Sequence, residues 1–212
     1  MIPRDKFKPE NIQKAREYIN IVSRLNPVLL KFTDEKHLKG EEIYNGRARK
    51  DPITGVRYNI RTQLDLRNAY SIIGFCGIDM RTAPFFFHFG KQTNDSAAFG
   101  EAVDDAIACG FLKEGNVLIM DNASIHRFKE NEVLEEYLWE EFGIFMLTLP
   151  TRLPEMNPIE LLWNTLVSRI KCFFVDHSDK VPVHLMATRI MDRFCHEDVF
   201  KAFTKCGYIN KY

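Results

Sequence analysis

Three acidic residues stand at positions where a chain of alternating strands and helices concentrates charge. Asp34 closes a short apolar strand, Asp121 closes the run NVLIMD, and Glu160 lies in the first turn of a later helix. Hard divalent cations such as Mg²⁺ prefer carboxylate oxygens. Two such ions can activate the attacking oxygen and stabilise the leaving oxygen when a phosphodiester is cleaved. The three acids therefore indicate metal-dependent phosphate chemistry.

Each acid also has a structural interpretation. An aspartate at the end of a strand commonly begins a turn. In LPEMNPIELLW, residues 153–163, Asn157 can cap a helix, Pro158 suits its first position, and Glu160 can bond back to the cap. Capping and metal binding by Glu160 are compatible, because a helix N-terminus can hold the side chain while its carboxylate points to the strand ends.

Two other acids compete with Asp34 for the place of the first acid. Adjacent residues on a strand point to opposite faces, so only one of Asp34 and Glu35 can face the ions, and Asp34 shares its face with Leu30 and Phe32. Asp79 is the second rival, but it lies in GIDMRT, which is typical of a hairpin turn. Asp34 is therefore the preferred first acid.

The elements that must position these acids follow from hydrophobic spacing and turn residues. In chain order they are a helix (8–25), a strand (28–32), a polar and basic excursion (39–69), two strands around a turn at 80–82, a helix that ends at Gly110, the strand that ends at Asp121, a helix that ends at Gly143, the strand IFMLTL, the helix opened by Asn157, and one or two helices over 182–206. Meander strands followed by βαβ units predict an α/β fold, a mixed five-stranded sheet with helices on both faces. That order of elements is the ribonuclease H-like arrangement.

Composition limits the alternatives. A chain of 212 residues with 45% hydrophobic content fits one large domain. No apolar run is long enough to cross a bilayer, and the polar N-terminus is unlike a signal peptide. Five cysteines without a C-x-x-C pair are typical of reduced thiols in an intracellular protein. A formal net charge of zero counts mildly against an autonomous DNA-binding module.

Two stretches carry a family resemblance. VLIMDNASIH followed by LTLPTRLPEMNPIELLW resembles the signature of the mariner-like DDE transposases of the Tc/mariner superfamily, an Asp-Asn-x-x-x-His block and then a Pro-rich loop with Asn-Pro-Ile-Glu-x-x-Trp. Upstream, LLKFTDEKHL resembles that family's first acidic strand, and the opening helix resembles the segment before it. The resemblance runs from about residue 8 to residue 171.

The resemblance implies a catalytic domain with a ribonuclease H-like fold. By this resemblance Asp34, Asp121 and Glu160 would be the catalytic acids and would hold two Mg²⁺ or Mn²⁺ ions per active site. The activity would be cleavage of a DNA strand at a transposon end and transfer to target DNA, by a homodimer in the active complex. The expected location is intracellular, in the nucleus of a eukaryote or the cytoplasm and nucleoid of a bacterium. The expected division is a linker helix (1–26), the catalytic domain (27–175) and a helical extension of it (176–212).

The chain departs from the family pattern in three places. LPTRLPEMNPIE replaces the commoner Pro-Pro-Tyr-Ser-Pro-Asp-Leu run, and Val167 stands where a lysine is frequent, with Arg169 and Lys171 nearby. Helix-turn-helix modules normally precede the catalytic domain, whereas this sequence begins at the linker helix. The expectation is either a catalytic fragment or a gene that has lost its end-recognition domain.

Further residues are candidates for DNA contacts, each with a structural alternative. His126 could touch a phosphate or orient a water, or equally hold the strand-to-helix corner; Asn122 could position Asp121 or form a turn. Asn164 and Lys171 share a helix side with Glu160 and could line the DNA path or be solvated. A basic stretch could grip phosphates or be a solvated loop: Arg47, Arg49, Lys50, Arg57 and Arg61. Trp163 lies on the buried stripe of its helix and is interpreted as core.

Two other functions stay open at this point. One is a domesticated or decayed relative that binds DNA or a protein without cutting, and the other is a structure-selective nuclease on the same fold. A divalent-cation titration separates the first from an active enzyme, because three converging carboxylates should bind Mn²⁺ at millimolar concentration or below.

Overall fold

Five strands form one mixed sheet at the centre of the molecule. The computed structural model describes residues 8–38, 70–90, 96–121, 128–151, 153–176 and 182–210. The strands are β1 (Leu30–Leu38), β2 (Tyr70–Gly77), β3 (Phe85–Gly90), β4 (Val117–Met120) and β5 (Phe145–Thr148). Their order across the sheet is β3-β2-β1-β4-β5, with β1 to β3 antiparallel and β1, β4 and β5 parallel. The predicted mixed five-stranded sheet is confirmed.

Helices cover both faces of this sheet, as predicted. They are α1 (Pro9–Val22), α2 (Ser96–Ala108), α3 (Phe128–Phe142), α4 (Pro158–Asp176), α5 (Val183–Met191) and α6 (His196–Lys205). Buried residues of α1, α4, α5 and α6 share one core with one face of the sheet, and those of α2 and α3 share a second core with the other face. No helix within the described ranges combines the length and the apolar character needed to cross a bilayer.

The strand residues that face each of the two cores alternate along the strands. Successive side chains of a strand point to opposite faces. Phe32 of β1 and Ile119 of β4 belong to the core under α4, whereas Leu118 and Met120 belong to the core under α2 and α3. This parity decides which polar side chains at the strand ends can meet α4.

The register of β1 corrects one sequence prediction. Asp34 was expected to close the first strand, but β1 continues to Leu38 because β2 remains paired with it, from Lys31 opposite Gly77 to Leu38 opposite Tyr70. The parallel pairing with β4 ends earlier, at Thr33 opposite Met120. Asp34 therefore lies within β1 at the point where β4 stops.

Two predicted helix ends are confirmed. Gly143 has a φ of +62°, a conformation that glycine adopts without strain. Its N–H bonds to Trp139 O at 3.1 Å and the Ile144 N–H bonds to Leu138 O at 3.0 Å, so two carbonyls at the end of α3 are satisfied. Gly110, with a φ of +76°, follows the end of α2 in the same way.

Candidate active site

Asp34 and Asp121 lie side by side on neighbouring parallel strands. Each is the residue after the last β1–β4 pair, Thr33 and Met120. Asp34 has the same parity as Phe32, so its side chain faces the α4 side of the sheet. Asp121 directly follows β4, and its charge affects the pKa of both Asp34 and Glu160. The structure thus brings together two of the three acids that the sequence indicated.

Glu160 approaches from the first turn of α4, which begins at Pro158 directly after Asn157, as predicted, but without the predicted capping bonds. The Asn157 N–H donates to Pro154 O at 2.9 Å, within a one-turn 3₁₀ helix over Pro154–Met156, so it is not bonded to the Glu160 carboxylate. The Asn157 Oδ1 is buried and has no hydrogen-bond partner among the described residues. The predicted capping bonds are therefore absent among the described residues: Asn157 Oδ1 accepts no N–H, and the Asn157 N–H that Glu160 was expected to bind is bonded to Pro154 O.

Trp163 connects α4 to the first acid. Its indole Nε1–H donates to Asp34 Oδ2 at 3.1 Å. The ring reaches this position because Gly74, which is paired with Asp34 across β1 and β2, has no side chain. A Cβ on Gly74 would lie 2.5 Å from Trp163 Cη2, closer than real Cβ contacts. Trp163 is buried, as predicted, and in addition it holds the Asp34 carboxylate in one orientation.

The charges at this edge of the sheet repel one another. The pKa of Asp34 is raised to about 7: burial is the largest cause, the negative charges of Glu160 and, less strongly, Asp121 act in the same direction, and the Glu35 N–H and the Trp163 indole oppose them. Burial also raises the pKa of Glu160; the nearby Lys36 ammonium opposes that shift and the Asp121 charge adds to it. Glu160 and Asp121 are thus close enough to disfavour ionisation of Asp34, and Asp121 is close enough to disfavour ionisation of Glu160.

The oxygen donors of these carboxylates suit a divalent cation, but their positions in the structure do not form a complete binding site. Within the described ranges, no three His, Cys, Asp or Glu side chains are grouped closely enough to hold a metal ion as they stand. Three carboxylates whose negative charges raise the pKa of Asp34 and of Glu160 nevertheless form the donor set that Mg²⁺ or Mn²⁺ prefers, since a cation would relieve their repulsion. Side-chain rotation would have to complete the set.

The rival acids are used elsewhere. Asp79 lies in the turn after β2, where Arg81 binds it through two nitrogens at 2.9 and 3.1 Å and Lys113 Nζ lies 3.2 Å away. The Arg81 guanidinium holds the pKa of Asp79 well below its ordinary value. Glu35 has the opposite parity to Asp34 on β1. Neither carboxyl group belongs to the Asp34 edge of the sheet.

The candidate DNA contacts divide into two groups. Asn164 is exposed and Lys171 is partly exposed, four and eleven residues after Glu160, spacings that return to the same side of α4. The other candidates lie outside the described residues: Asn122, His126, Arg47, Arg49, Lys50, Arg57 and Arg61. Arg169 turns away from Glu160, because it pairs with Asp198 of α6 at 2.8 Å and covers the Phe194 ring.

The sequence interpretation missed two residues of this site. Gly74 in the middle of YSIIGFCG had a visible signal, since a glycine inside a strand often marks a close approach of another group. Lys36, two residues after Asp34, has the same strand parity and lies near enough to Glu160 to affect its pKa. Because side chains alternate along a strand, the position of Lys36 two residues after Asp34 was enough to predict that both lie on the same face.

Comparison with known proteins relates this arrangement to one family and one fold. Residues 32–180 match the family described as DDE superfamily endonuclease. No curated protein matches the chain. The catalytic domain of Mos1 mariner transposase is similar in structure, with a TM-score of 0.61 at 9% identity over 94% of this chain and 90% of that one.

Longer Mos1 chains are similar as well. The Mos1 transposase paired-end complex with left transposon end has a TM-score of 0.67 at 12% identity over 97% of this chain and 61% of that one. A mariner Mos1 paired end complex with Mg has a TM-score of 0.63 at 12% identity over 97% of this chain and 63% of that one. The chain thus spans about six tenths of the length of the transposase chains in those complexes. At these identities the likeness shows the fold, which is the predicted ribonuclease H-like one.

Proposed function

Because the chain belongs to the DDE superfamily endonuclease family, we propose that it is the catalytic domain of a DNA transposase, which cleaves a strand at a transposon end and joins it to target DNA. One observation carries the proposal. Asp34 and Asp121 lie side by side where β1 and β4 diverge, and both are electrostatically coupled to Glu160 at the start of α4. This proximity of three carboxylates at one edge of the sheet supports the proposal.

Asp34, Asp121 and Glu160 would hold two Mg²⁺ or Mn²⁺ ions, which supply activation of the attacking oxygen and stabilisation of the leaving oxygen. The chain itself orients these carboxylates. The Trp163 indole fixes Asp34, and α4 holds Glu160 opposite the strand ends. The Lys36 ammonium near Glu160 offsets part of the local negative charge, which favours the approach of a phosphate.

The reaction exchanges one phosphorus–oxygen bond for another in each step. In the first step a water oxygen bonds to phosphorus and the bond from that phosphorus to O3′ breaks. One water proton ends on the leaving O3′, which becomes a 3′-hydroxyl, and the other is lost to solvent from the new 5′-phosphate. In the second step that 3′-hydroxyl oxygen bonds to a phosphorus of the target, the bond from that phosphorus to the target O3′ breaks, and the proton of the attacking hydroxyl ends on the leaving O3′. No covalent enzyme intermediate is needed, so positioning and electrostatics supply most of the catalysis.

The proposal extends to partners, organisation and location. Transposon-end and target DNA would be the partners, in keeping with the left transposon end in the similar Mos1 complex, and the active form would be a homodimer. The division into a linker helix (1–26), a catalytic domain (27–175) and a helical extension (176–212) belongs to the same proposal. So does an intracellular location, nuclear in a eukaryote.

The direct test is nicking of supercoiled DNA and of DNA carrying the ends of the chain's own element. We expect cleavage in Mg²⁺ or Mn²⁺ and none in EDTA. Cleavage that is equally fast in EDTA, or absent at every concentration of both ions, would reject the proposal.

Trp163 offers a reporter of ion binding that does not depend on cleavage. The chain has two tryptophans, and Trp139 is exposed, so Trp139→Phe leaves Trp163 as the only tryptophan. Mn²⁺ is paramagnetic and quenches nearby indoles, and the Trp163 indole is bonded to Asp34. We expect saturable quenching by Mn²⁺ at millimolar concentration or below, reversed by excess Mg²⁺.

The matched control for this titration adds Asp121→Asn to the Trp139→Phe chain. This change removes one carboxylate without touching the indole, so the saturable phase should disappear and leave weak collisional quenching. Saturable quenching that survives unchanged in the Asp121→Asn chain would place the ion elsewhere.

DNA binding by this 212-residue chain should be weak and nonspecific. Its formal net charge is zero, so affinity would come from a few phosphate contacts and would fall steeply as salt displaces them. Fluorescence anisotropy of labelled duplexes between about 50 and 200 mM salt measures this. Nanomolar binding to one defined sequence at physiological salt would contradict the expectation.

A further inference from the structure

A chain of two hydrogen bonds connects helix α1 to the loop that leads into α4. The Tyr18 hydroxyl of α1 lies 2.8 Å from the Tyr208 hydroxyl, which follows α6. The Tyr208 hydroxyl donates to the Met156 carbonyl oxygen at 2.7 Å. Met156 ends the 3₁₀ turn four residues before Glu160. Three segments far apart in sequence therefore meet at one hydroxyl group.

The direction of both bonds follows from proton counting. A carbonyl oxygen can only accept, and a tyrosine hydroxyl has one proton. The Tyr208 proton is therefore used on Met156, and Tyr18 must donate its own proton to the Tyr208 oxygen. Burial raises the pKa of both hydroxyls, so both keep their protons at any pH where the protein is used. The relay is fixed in one direction.

The Tyr208 ring makes a second connection, to the strand that carries Asp34. Its centroid lies 4.8 Å from the ring of Phe32 and 5.9 Å from the ring of Phe203. Phe32 precedes Asp34 by two residues and points to the same face of the sheet. One side chain thus contacts the backbone segment before Glu160 and the strand face that presents Asp34.

The start of α4 depends on this support, because its expected side-chain cap is missing. Asn157 Oδ1 has no hydrogen-bond partner among the described residues, and a 3₁₀ turn before the helix sets the direction of its first residues. The Tyr208 hydroxyl holds the last carbonyl of that turn. A shift of this turn would move Glu160 relative to the two aspartates.

We propose that Tyr208 is a positioning residue for the active site and that it sets the distance between Glu160 and Asp34. Tyr18 of helix α1 holds the Tyr208 hydroxyl in place by its hydrogen bond. The inference rests on the proposed function, because the positions matter only if these carboxylates act together. Tyr208 touches no reacting atom; it acts through the Met156 carbonyl and the Phe32 ring.

The test compares three tyrosine-to-phenylalanine variants that each remove one hydroxyl and keep the ring. Tyr208→Phe removes the bond to Met156, whereas Tyr18→Phe removes the upstream donor and leaves that bond in place. Tyr137→Phe is the matched control, because its hydroxyl donates to Asp104 at 3.3 Å on the α2 and α3 side of the sheet.

Two functional readouts are measured on the full chain, Mn²⁺ quenching of Trp163 in the Trp139→Phe background and the rate of Mg²⁺-dependent nicking. Tyr208→Phe should raise the half-saturating Mn²⁺ concentration several-fold and lower the nicking rate about tenfold, since small displacements of catalytic groups are costly. Tyr18→Phe should give a smaller change in the same direction, and Tyr137→Phe should match the parent.

A third readout reports the position of the loop itself. Amide hydrogen exchange of a peptide covering residues 153–163 should be faster in Tyr208→Phe than in the parent and in Tyr137→Phe, with or without metal. Melting temperatures establish that each variant is folded. If Tyr208→Phe does not fold, the proposal is judged on Tyr18→Phe, which must then show the loss of Mn²⁺ affinity and the faster loop exchange.

The outcomes separate this inference from the proposed function. If the parent binds Mn²⁺ and nicks DNA but folded Tyr208→Phe does both equally well, the positioning role is rejected and the proposed function stands. If Tyr208→Phe loses only melting temperature, its hydroxyl is a structural bond and the role is again rejected. If the parent neither binds Mn²⁺ nor nicks, the proposed function fails and the positioning role fails with it.

Discussion

Glu160→Gln should reduce Mg²⁺-dependent nicking on the order of 10³-fold while the protein stays folded. Glutamine keeps the size of the side chain and removes its charge. The structure eliminates the competing explanation for a loss, because Glu160 makes no capping-box bond to the Asn157 N–H, which is bonded to Pro154 O. Stability should hold or rise, since the substitution removes one of the charges that disfavour ionisation of Asp34.

The measurement is the initial rate of nicking of supercoiled DNA at low salt, where docking is not limiting, with melting curves recorded in parallel. Glu155→Gln is the matched control, because Glu155 is an exposed acid in the 3₁₀ turn just before α4. It undergoes the same chemical change and should cut at the parent's rate. Cutting by Glu160→Gln at that rate would remove Glu160 from the active site.

Asp34→Asn should stabilise the metal-free protein at pH 8 by on the order of 3 kcal/mol, while it abolishes nicking. The folded-state pKa of Asp34 is raised from 3.8 to about 7. The folded protein therefore holds a proton that the unfolded chain has released, so stability falls as pH rises from about 4 through about 7. Asparagine is never charged and can still accept the Trp163 indole N–H through its side-chain oxygen.

Urea unfolding in EDTA at pH 5 and pH 8 measures this effect. The parent should lose stability between the two values, and Asp34→Asn should lose markedly less. Glu35→Gln is the control, since it changes the adjacent acid of opposite strand parity and leaves the Asp34 carboxylate in place, so the loss of stability that Asp34 causes should remain. Mg²⁺ at pH 8 should stabilise the parent and not Asp34→Asn. If the Asp34→Asn protein is less stable than the parent at pH 8 in EDTA, the ionised Asp34 carboxylate does not destabilise the folded protein, and the prediction is wrong.

The sequence by itself determined the order of elements and the identity of the candidate acids. Helical spacing, apolar strands and glycine stops depend on residues within a few positions of each other, so they can be read without the fold. The same holds for the residue signature at 117–163, which pointed to a family that the match over residues 32–180 supports. Parity along β1 also separated Asp34 from Glu35 in advance.

The tertiary structure decided where these residues act. Asp34 lies within β1 rather than at its end because β2 pairs with the strand beyond the last residue of β4, which no local pattern specifies. The expected bond from Glu160 back to the Asn157 N–H does not form because the preceding 3₁₀ turn uses that N–H.

Contacts between distant residues are likewise set by packing. Trp163 bonds to Asp34 across 129 residues, through a slot left by Gly74. Tyr208 bonds to Met156 across 52 residues and meets Tyr18 across 190. Hydrophobic periodicity encodes which face of an element is buried, but not which distant side chain will lie against it, because that depends on how whole elements pack.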